Sequence, residues 1–393
     1  MNTSGKRSRP RLFVESLATI FYFPADLHLL PIRFTCAGFL MVISGLQPLF
    51  CADRSQTMVL VVGDISVDIT APLPAHPAVG EDCLSPELTF QCGGVALNGA
   101  IVLERLGVRT RLVGCVGEDW FGEFAIERAA SEGIDTGFIQ RSGAAMTGLF
   151  LIAISPDGQR TFFGCRGASA HLRSTDDWKG RMDGVTALQV TGYAFLSESS
   201  REFVHQLLQM ARECGARTVL DLGLGPSRQI PETLMDALKE FDTVFANAAE
   251  AEALSRQSSP EAALSALEHA GARAAVIKLG GQGCLIRSKG VLCRVPPFAV
   301  KVIDTTGAGD AFTSAFTAGR LWGWTVEECA LLANACGAAA SATMGAGQRL
   351  PTIAMITEVL NSQDFISGWD KIRMQVIARL QVTISATSES RGA

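Results

Sequence analysis

Continuous apolar runs alternate with amphipathic stretches along most of this chain. Val59 to Val62 is one such run and ends at Gly63; Thr110 to Val116, Ala187 to Thr191, Thr218 to Leu220, Thr243 to Phe245 and Ala274 to Leu279 are others. Short apolar runs without polar alternation predict strands buried on both faces, the habit of a parallel sheet. Between them apolar residues recur at helical spacing: Leu97, Ala100, Ile101 and Leu106 before Gly107, and Phe121, Phe124 and Ala125, with Arg128, before Gly133. Strand and helix in alternation predict an α/β fold, a mainly parallel central sheet covered by helices on both faces. One stretch breaks the rhythm. Thr147 to Ile154 and Arg160 to Gly164 flank Pro156-Asp157-Gly158, which predicts a β-hairpin, and the Pro-rich segment from Thr70 to Phe90 reads as extended. These segments, about 68–92 and 144–166, predict a small β lid over the sheet.

The ends differ from the middle. Residues 1–57 carry Lys6, Arg7, Arg9, Arg11, Arg33 and Arg54 against Glu15, Asp26 and Asp53. Their apolar stretch from Cys36 to Phe50 is shorter than the ~20 residues that span a bilayer. It imitates a signal peptide only loosely, because the basic cluster lies far upstream and Pro48-Leu49-Phe50 spoils a small-residue cleavage site. Met58 then opens an ordinary buried first strand. The expectation is an upstream extension over 1–57, a folded domain over 58–370, and a polar Ser/Thr tail over 371–393.

Composition narrows the function by exclusion. A chain of 393 residues, 48% hydrophobic with 39 glycines, has ample material for a large core. Its net charge of −5 offers no electrostatic footprint for a polyanion, so no nucleic acid is expected as partner. Eleven cysteines include no CxxC pair, and most sit among apolar neighbours, as Cys115 and Cys336 do. That pattern suits reduced, buried thiols in a cytoplasmic protein rather than disulfides or a zinc site. Neither a membrane nor a metal held by the five scattered histidines is expected.

The strongest chemical signal runs from Val302 to Phe312, VIDTTGAGDAF. It reads as a strand ending in a Gly-Ala-Gly turn, followed by a helix on which Ala311, Phe312, Ala315, Phe316 and Gly319 form the apolar face. Such a turn lets backbone N–H groups converge at the positive end of a helix, an anion cradle. A carboxylate at Asp310 beside that cradle suggests a base that orients an attacking hydroxyl. Taken alone, the same residues also suit a tight turn with a capping aspartate.

Here the chain resembles a known family, the ribokinase (PfkB) carbohydrate kinases. Asp304 to Phe312 matches that family's C-terminal signature at every position, Gly93-Gly94-Val95-Ala96-Leu97-Asn98 its N-terminal GGxxxN, Asn247-Ala248-Ala249-Glu250 its NxxE, and Lys278 to Gly283 its nucleotide-side glycine turn. The resemblance covers about Met58 to Leu360. It implies a three-layer α/β/α ribokinase-like fold and ATP-dependent phosphorylation of a hydroxymethyl group on a small sugar or polyol. It implies Asp310 as catalytic base, with the amides of Gly307, Ala308, Gly309 and Asp310 as anion hole. Asn247 and Glu250 would hold the Mg²⁺ water shell and the phosphates; Lys278, Gly280, Gly283 and Asn334 would border the nucleotide; Asp68, Gly94 and Asn98 would bind acceptor hydroxyls. Asp304 and Thr306, with the loop from Ala342 to Gly347, would hold a monovalent cation such as K⁺. A homodimer joined through the lids is also expected.

The departures concern the acceptor. Val95 stands where ribokinases usually carry lysine, and Gly225-Pro226-Ser227-Arg228 does not reproduce the pattern of many fructokinases and ketodeoxygluconate kinases. A nucleoside kinase, with Phe162 and Phe163 as a stacking face, and a non-catalytic sugar-binding regulatory protein remain as alternatives. P-loop, protein-kinase and Rossmann dehydrogenase chemistries are excluded by their missing motifs. Asp68, Asn98 and the Gly94 backbone bring no fixed positive charge, which favours neutral acceptors unless Arg160 and Arg166 reach inward.

Overall fold

Apolar runs that cannot leave one face in water must stack edge to edge and be covered twice, and the chain does this with strands spaced by helices. The computed structural model describes residues 57–157, 159–175, 178–362 and 368–391, without the side chains of residues 179 and 383–391. All of them belong to the unit Phe50–Ala393. The upstream extension expected over 1–57 therefore lies outside the described residues, apart from the buried Thr57.

The strands are β1 (Met58–Val62), β2 (Ser66–Pro72), β3 (Thr89–Gly93), β4 (Arg109–Gly117), β5 (Ile139–Ser142), β6 (Gly148–Ile154), β7 (Arg160–Cys165), β8 (Ala187–Thr191), β9 (Arg217–Asp221), β10 (Thr243–Asn247), β11 (Ala274–Lys278), β12 (Cys284–Ser288) and β13 (Val291–Val295). Nine of them form one sheet in the order β13-β12-β11-β10-β9-β8-β1-β4-β5. Neighbours from β11 to β5 are parallel. The antiparallel pair β12 and β13 extends the other edge.

Alternation along β1 divides its side chains between two cores. Val59 and Val61 join the cluster beneath the helices Val95–Arg105, Ala308–Leu321 and Val326–Ser341. Met58, Leu60 and Val62 join the cluster beneath Glu198–Glu213 and Pro260–His269. Three layers, helix, sheet and helix, result. The lid is a separate four-stranded sheet in the order β3-β2-β6-β7, whose central pair, β2 with β6, is parallel over seven residues from Ser66 and Gly148 to Pro72 and Ile154.

Two expectations need correction. Ahead of Gly307 there is no strand; the Ile303 and Asp304 amides donate to the carbonyl of Ser341 at 2.8 and 3.2 Å, so that segment is tied to a helix end instead of a sheet. The C-terminal segment read as a polar tail is a helix, Asp370–Arg391. Ile372, Val376 and Leu380 fall at helical spacing, and Val376, Ile377 and Leu380 are buried. Arg379 anchors it by pairing with Glu328 at 3.3 Å. Among the described residues no helix is long and apolar enough to cross a membrane, and the cysteines are free thiols, five of them buried.

Candidate active site

In a parallel sheet the carboxyl ends of the strands share one edge, and where the chain leaves the middle strand in opposite directions a crevice opens there. Here the direction changes at β1, third from one edge of the sheet, with β4 on one side and β8 on the other. The edge so defined gathers Asp64 just past β1, Asp221 at the end of β9, Asn247 at the end of β10 and Lys278 at the end of β11. The helix Ala308–Leu321 starts above it. Gly307, at φ 76°, turns the chain into that helix, where a Cβ would meet Leu350 at 2.8 Å. No side chain caps this first turn, so its amides point outward unclaimed by a capping group.

Asp310 lies in the first turn. Asn98 Nδ2 donates to its Oδ2 at 2.8 Å, while Asn98 Oδ1 accepts from the amide of Gly347 at 3.1 Å. Burial, with the neighbouring carboxylate of Asp221, pushes the Asp310 carboxyl up to about 7 against the opposing pull of Asn98 and Lys278. Lys278 Nζ donates to Asp221 Oδ1 at 2.8 Å, and Thr313 Oγ1 donates to Asp221 Oδ2 at 2.7 Å. Burial opposes the charge on Lys278, but Asp221 and Glu250 outweigh it and hold the ammonium above its ordinary range. A Cβ on Gly309 would lie 3.3 Å from Lys278 Nζ, so the ammonium stands at the anion cradle. Lys278, expected from its motif to stand beside the nucleotide-side glycine turn, is thus also close to Gly309. Asp221 belongs to the same cluster and escaped notice in the sequence, although a lone carboxylate closing a buried strand was its available signal.

Asn247 and Glu250 form a complete capping box: the Glu250 amide donates to Asn247 Oδ1 at 2.9 Å, and Glu250 Oε2 accepts from the Asn247 amide at 2.7 Å. The NxxE spacing therefore has a structural duty. Glu250 is also buried, its carboxyl raised by that burial despite Lys278. Buried carboxylate oxygens beside an ammonium and an uncapped helix end suit a hydrated Mg²⁺ with a polyphosphate. At the other end of this edge Gly280 is exposed, Gly283 lies so close to β13 that a Cβ would meet Val295 O at 2.0 Å, and Asn334 Nδ2 donates to Pro296 O at 2.8 Å.

Within the lid sheet, Asp68 on β2 packs onto Gly93 at the end of β3, where a Cβ would meet its Oδ1 at 2.3 Å. Burial lifts its carboxyl to about 6, against the hydrogen bond from Ser66. Gly94, at φ 95°, passes so close to the backbone of Asp64 that a Cβ would lie 2.3 Å from its carbonyl. Both lid arginines do reach inward, and each meets a carboxylate. Arg166 holds Asp64 through Nε at 2.6 Å and a terminal nitrogen at 2.7 Å. Arg160 pairs with Asp304 and donates to Thr306 Oγ1 at 2.9 Å. Asp304 Oδ1 also accepts from Thr306 N at 2.9 Å and Oγ1 at 2.8 Å, and Oδ2 from Gly345 N at 2.5 Å. The residues expected to hold K⁺ thus face a guanidinium and do not fit the ion.

A family model described as pfkB family carbohydrate kinase matches residues 56–353. The chain is 27% identical over 298 residues to a ribokinase of Haemophilus influenzae, covering 74% of this chain and 94% of that relative. It is 28% identical over 327 residues to fructokinase-1 of Oryza sativa subsp. japonica, covering 79% and 99%. An E. coli protein assigned as ribokinase II, solved with ATP and Mg²⁺, matches at TM-score 0.68 and 25% identity over 77% of this chain and 99% of its own.

Proposed function

Since the chain belongs to the pfkB family of carbohydrate kinases and is at that level a sugar kinase, we propose that its site transfers the γ-phosphoryl group of ATP to a hydroxymethyl group of a neutral sugar or polyol. The observation that carries this reading is the Asp310 carboxyl, held by Asn98 at the uncapped helix end and raised to about 7. A base of that proton affinity works near neutral pH. The acceptor oxygen attacks the γ-phosphorus, its proton passes to Asp310, and ADP leaves. The amides of Gly307 to Asp310 receive the charge on the transferred oxygens, and Lys278 neutralises part of it. Asn247 and Glu250 would hold the water shell of Mg²⁺, an ion that when bound offsets charge on the β- and γ-phosphates. Gly280, Gly283 and Asn334 border the adenosine.

The acceptor class follows from charge. Asp68 and the Gly94 backbone accept and donate hydrogen bonds, and the two inward arginines are neutralised by Asp64 and Asp304. No spare cation remains among these groups for a phosphate on the acceptor. Coupled detection of ADP with a panel of sugars, polyols, sugar phosphates and nucleosides tests the reading. Neutral sugars or polyols are expected to exceed sugar phosphates by at least tenfold in kcat/KM. A nucleoside as best acceptor replaces the sugar assignment, and no ADP formation with any acceptor ends the kinase reading. For the assembly, exposed Leu151, Phe162 and Phe163 on the lid support the expected homodimer; a monomer mass by light scattering at micromolar concentration refutes it.

A further inference from the structure

We propose that Arg160 is an internal replacement for a monovalent cation: its guanidinium, carried on the lid, holds the loop that feeds the anion hole, so that the enzyme works without K⁺. This rests on the kinase reading above. Asp304 and Thr306 stand immediately before Gly307, whose turn sets the amides of the first helical turn. The Asp304 side chain is 2% exposed and that of Arg160 17%, so the two charges meet largely out of water. A buried carboxylate needs a compensating positive charge, and here the protein supplies it. Donations from Arg160, Thr306 and Gly345 overcome the effect of burial and keep the Asp304 carboxyl below its ordinary range.

The same carboxylate reaches the second loop of the expected cation site through Gly345, whose neighbour Gly347 donates to Asn98, the partner of Asp310. One side chain therefore connects three segments: the lid strand β7, the turn ahead of the Ala308–Leu321 helix, and the 342–347 loop. A dissolved ion in that place would join the last two only. Arg160 stands on the hairpin, 146 positions before Thr306, so its charge is supplied by the lid. Arg160 is thus a positioning residue, acting on the transferred phosphoryl through the turn at Gly307.

The experiment compares wild type with Arg160→Ala and Arg160→Lys in KCl and in tetramethylammonium chloride at equal ionic strength. For wild type, kcat is expected to agree within twofold between the salts. Arg160→Ala in tetramethylammonium is expected to lose on the order of tenfold in kcat with little change in KM for ATP, and to recover most of it in KCl or with added guanidinium. Arg160→Lys should retain K⁺-independent turnover. A several-fold activation of wild type by K⁺, or an alanine variant with wild-type kcat in tetramethylammonium, overturns the proposal. Thermal unfolding in the two salts gives a second readout that needs no acceptor. A K⁺-specific rise in midpoint is expected for Arg160→Ala and not for wild type; an equal response of the two proteins, whether both rise or neither does, overturns the proposal even if no acceptor is ever phosphorylated.

Discussion

Asp304 and Asp310 stand six positions apart on either side of Gly307, and their surroundings act on them in opposite directions. Asp304 receives donors on both oxygens, from Arg160, Thr306 and Gly345, and is held in its charged form. Asp310 receives one donor, from Asn98, and its burial and the charge of Asp221 favour its protonated form. Asp304 is buried and Asp310 half-buried; only Asp304 is given a counter-charge of its own. On the proposed mechanism, the difference separates an anchor from a proton handler within one short signature.

The largest way to break this contrast is Asp310→Asn. It keeps an acceptor for Asn98 but removes the base, and turnover should fall by about 10²- to 10⁴-fold with KM for ATP nearly unchanged. Steady-state kinetics decide it, and a variant with wild-type turnover removes Asp310 from the role. Next in size is the acceptor side. Asp68→Ala should raise the acceptor KM roughly tenfold or more while leaving that for ATP in place, because acceptor hydroxyls lose a buried partner. Unchanged acceptor kinetics would displace Asp68 from the pocket.

A pH series sharpens the comparison further. Asp310 must be unprotonated to accept the acceptor's proton, so kcat should fall about tenfold per unit as pH drops below about 7. The residual rate of Asp310→Asn should lack that limb, and a wild-type profile flat from pH 5 to 8 would contradict it. The smallest effect is in stability, where the two aspartates should differ in sign. Asp304→Asn leaves Arg160 without its partner and should cost about 3 kcal/mol. For Asp310 the folded-state value is raised, so stability is full below the unfolded carboxyl's range near 4 and is lost as pH rises through about 7. Asp310→Asn should therefore be more stable than wild type at pH 8, with the gap closing toward pH 4. Calorimetric melts of both variants across that range test the two signs together.

Much of this was legible locally. The strands β1, β4, β8, β9, β10 and β11 begin and end within two residues of the apolar runs that announced them, since burial on both faces leaves an uninterrupted mark. The Gly-Ala-Gly turn and its helix were equally plain. What escaped has physical causes. The turn between β12 and β13 is Lys289-Gly290, both at positive φ, a weaker hairpin signal than Asn-Gly. The C-terminal helix buries only three of its described residues, too few to stand out against Ser and Thr. Most of all, the pairs of Arg160 with Asp304 and Arg166 with Asp64 join residues more than a hundred positions apart. Their charges looked solvated in sequence, because no local pattern tells which surface arginine will find a buried carboxylate.

The capping box at Asn247 and Glu250 bears on how such a site decays over evolutionary time. Those two residues start a helix, and a lineage released from catalysis would still keep them for that reason. Asp310 has no such protection: its charge, disfavoured by partial burial and by Asp221, works against folding at neutral pH, so drift toward stability would discard it first. Retention of the NxxE pair says little about whether a relative is alive as an enzyme. An aspartate kept against its own cost, as here, says a good deal more.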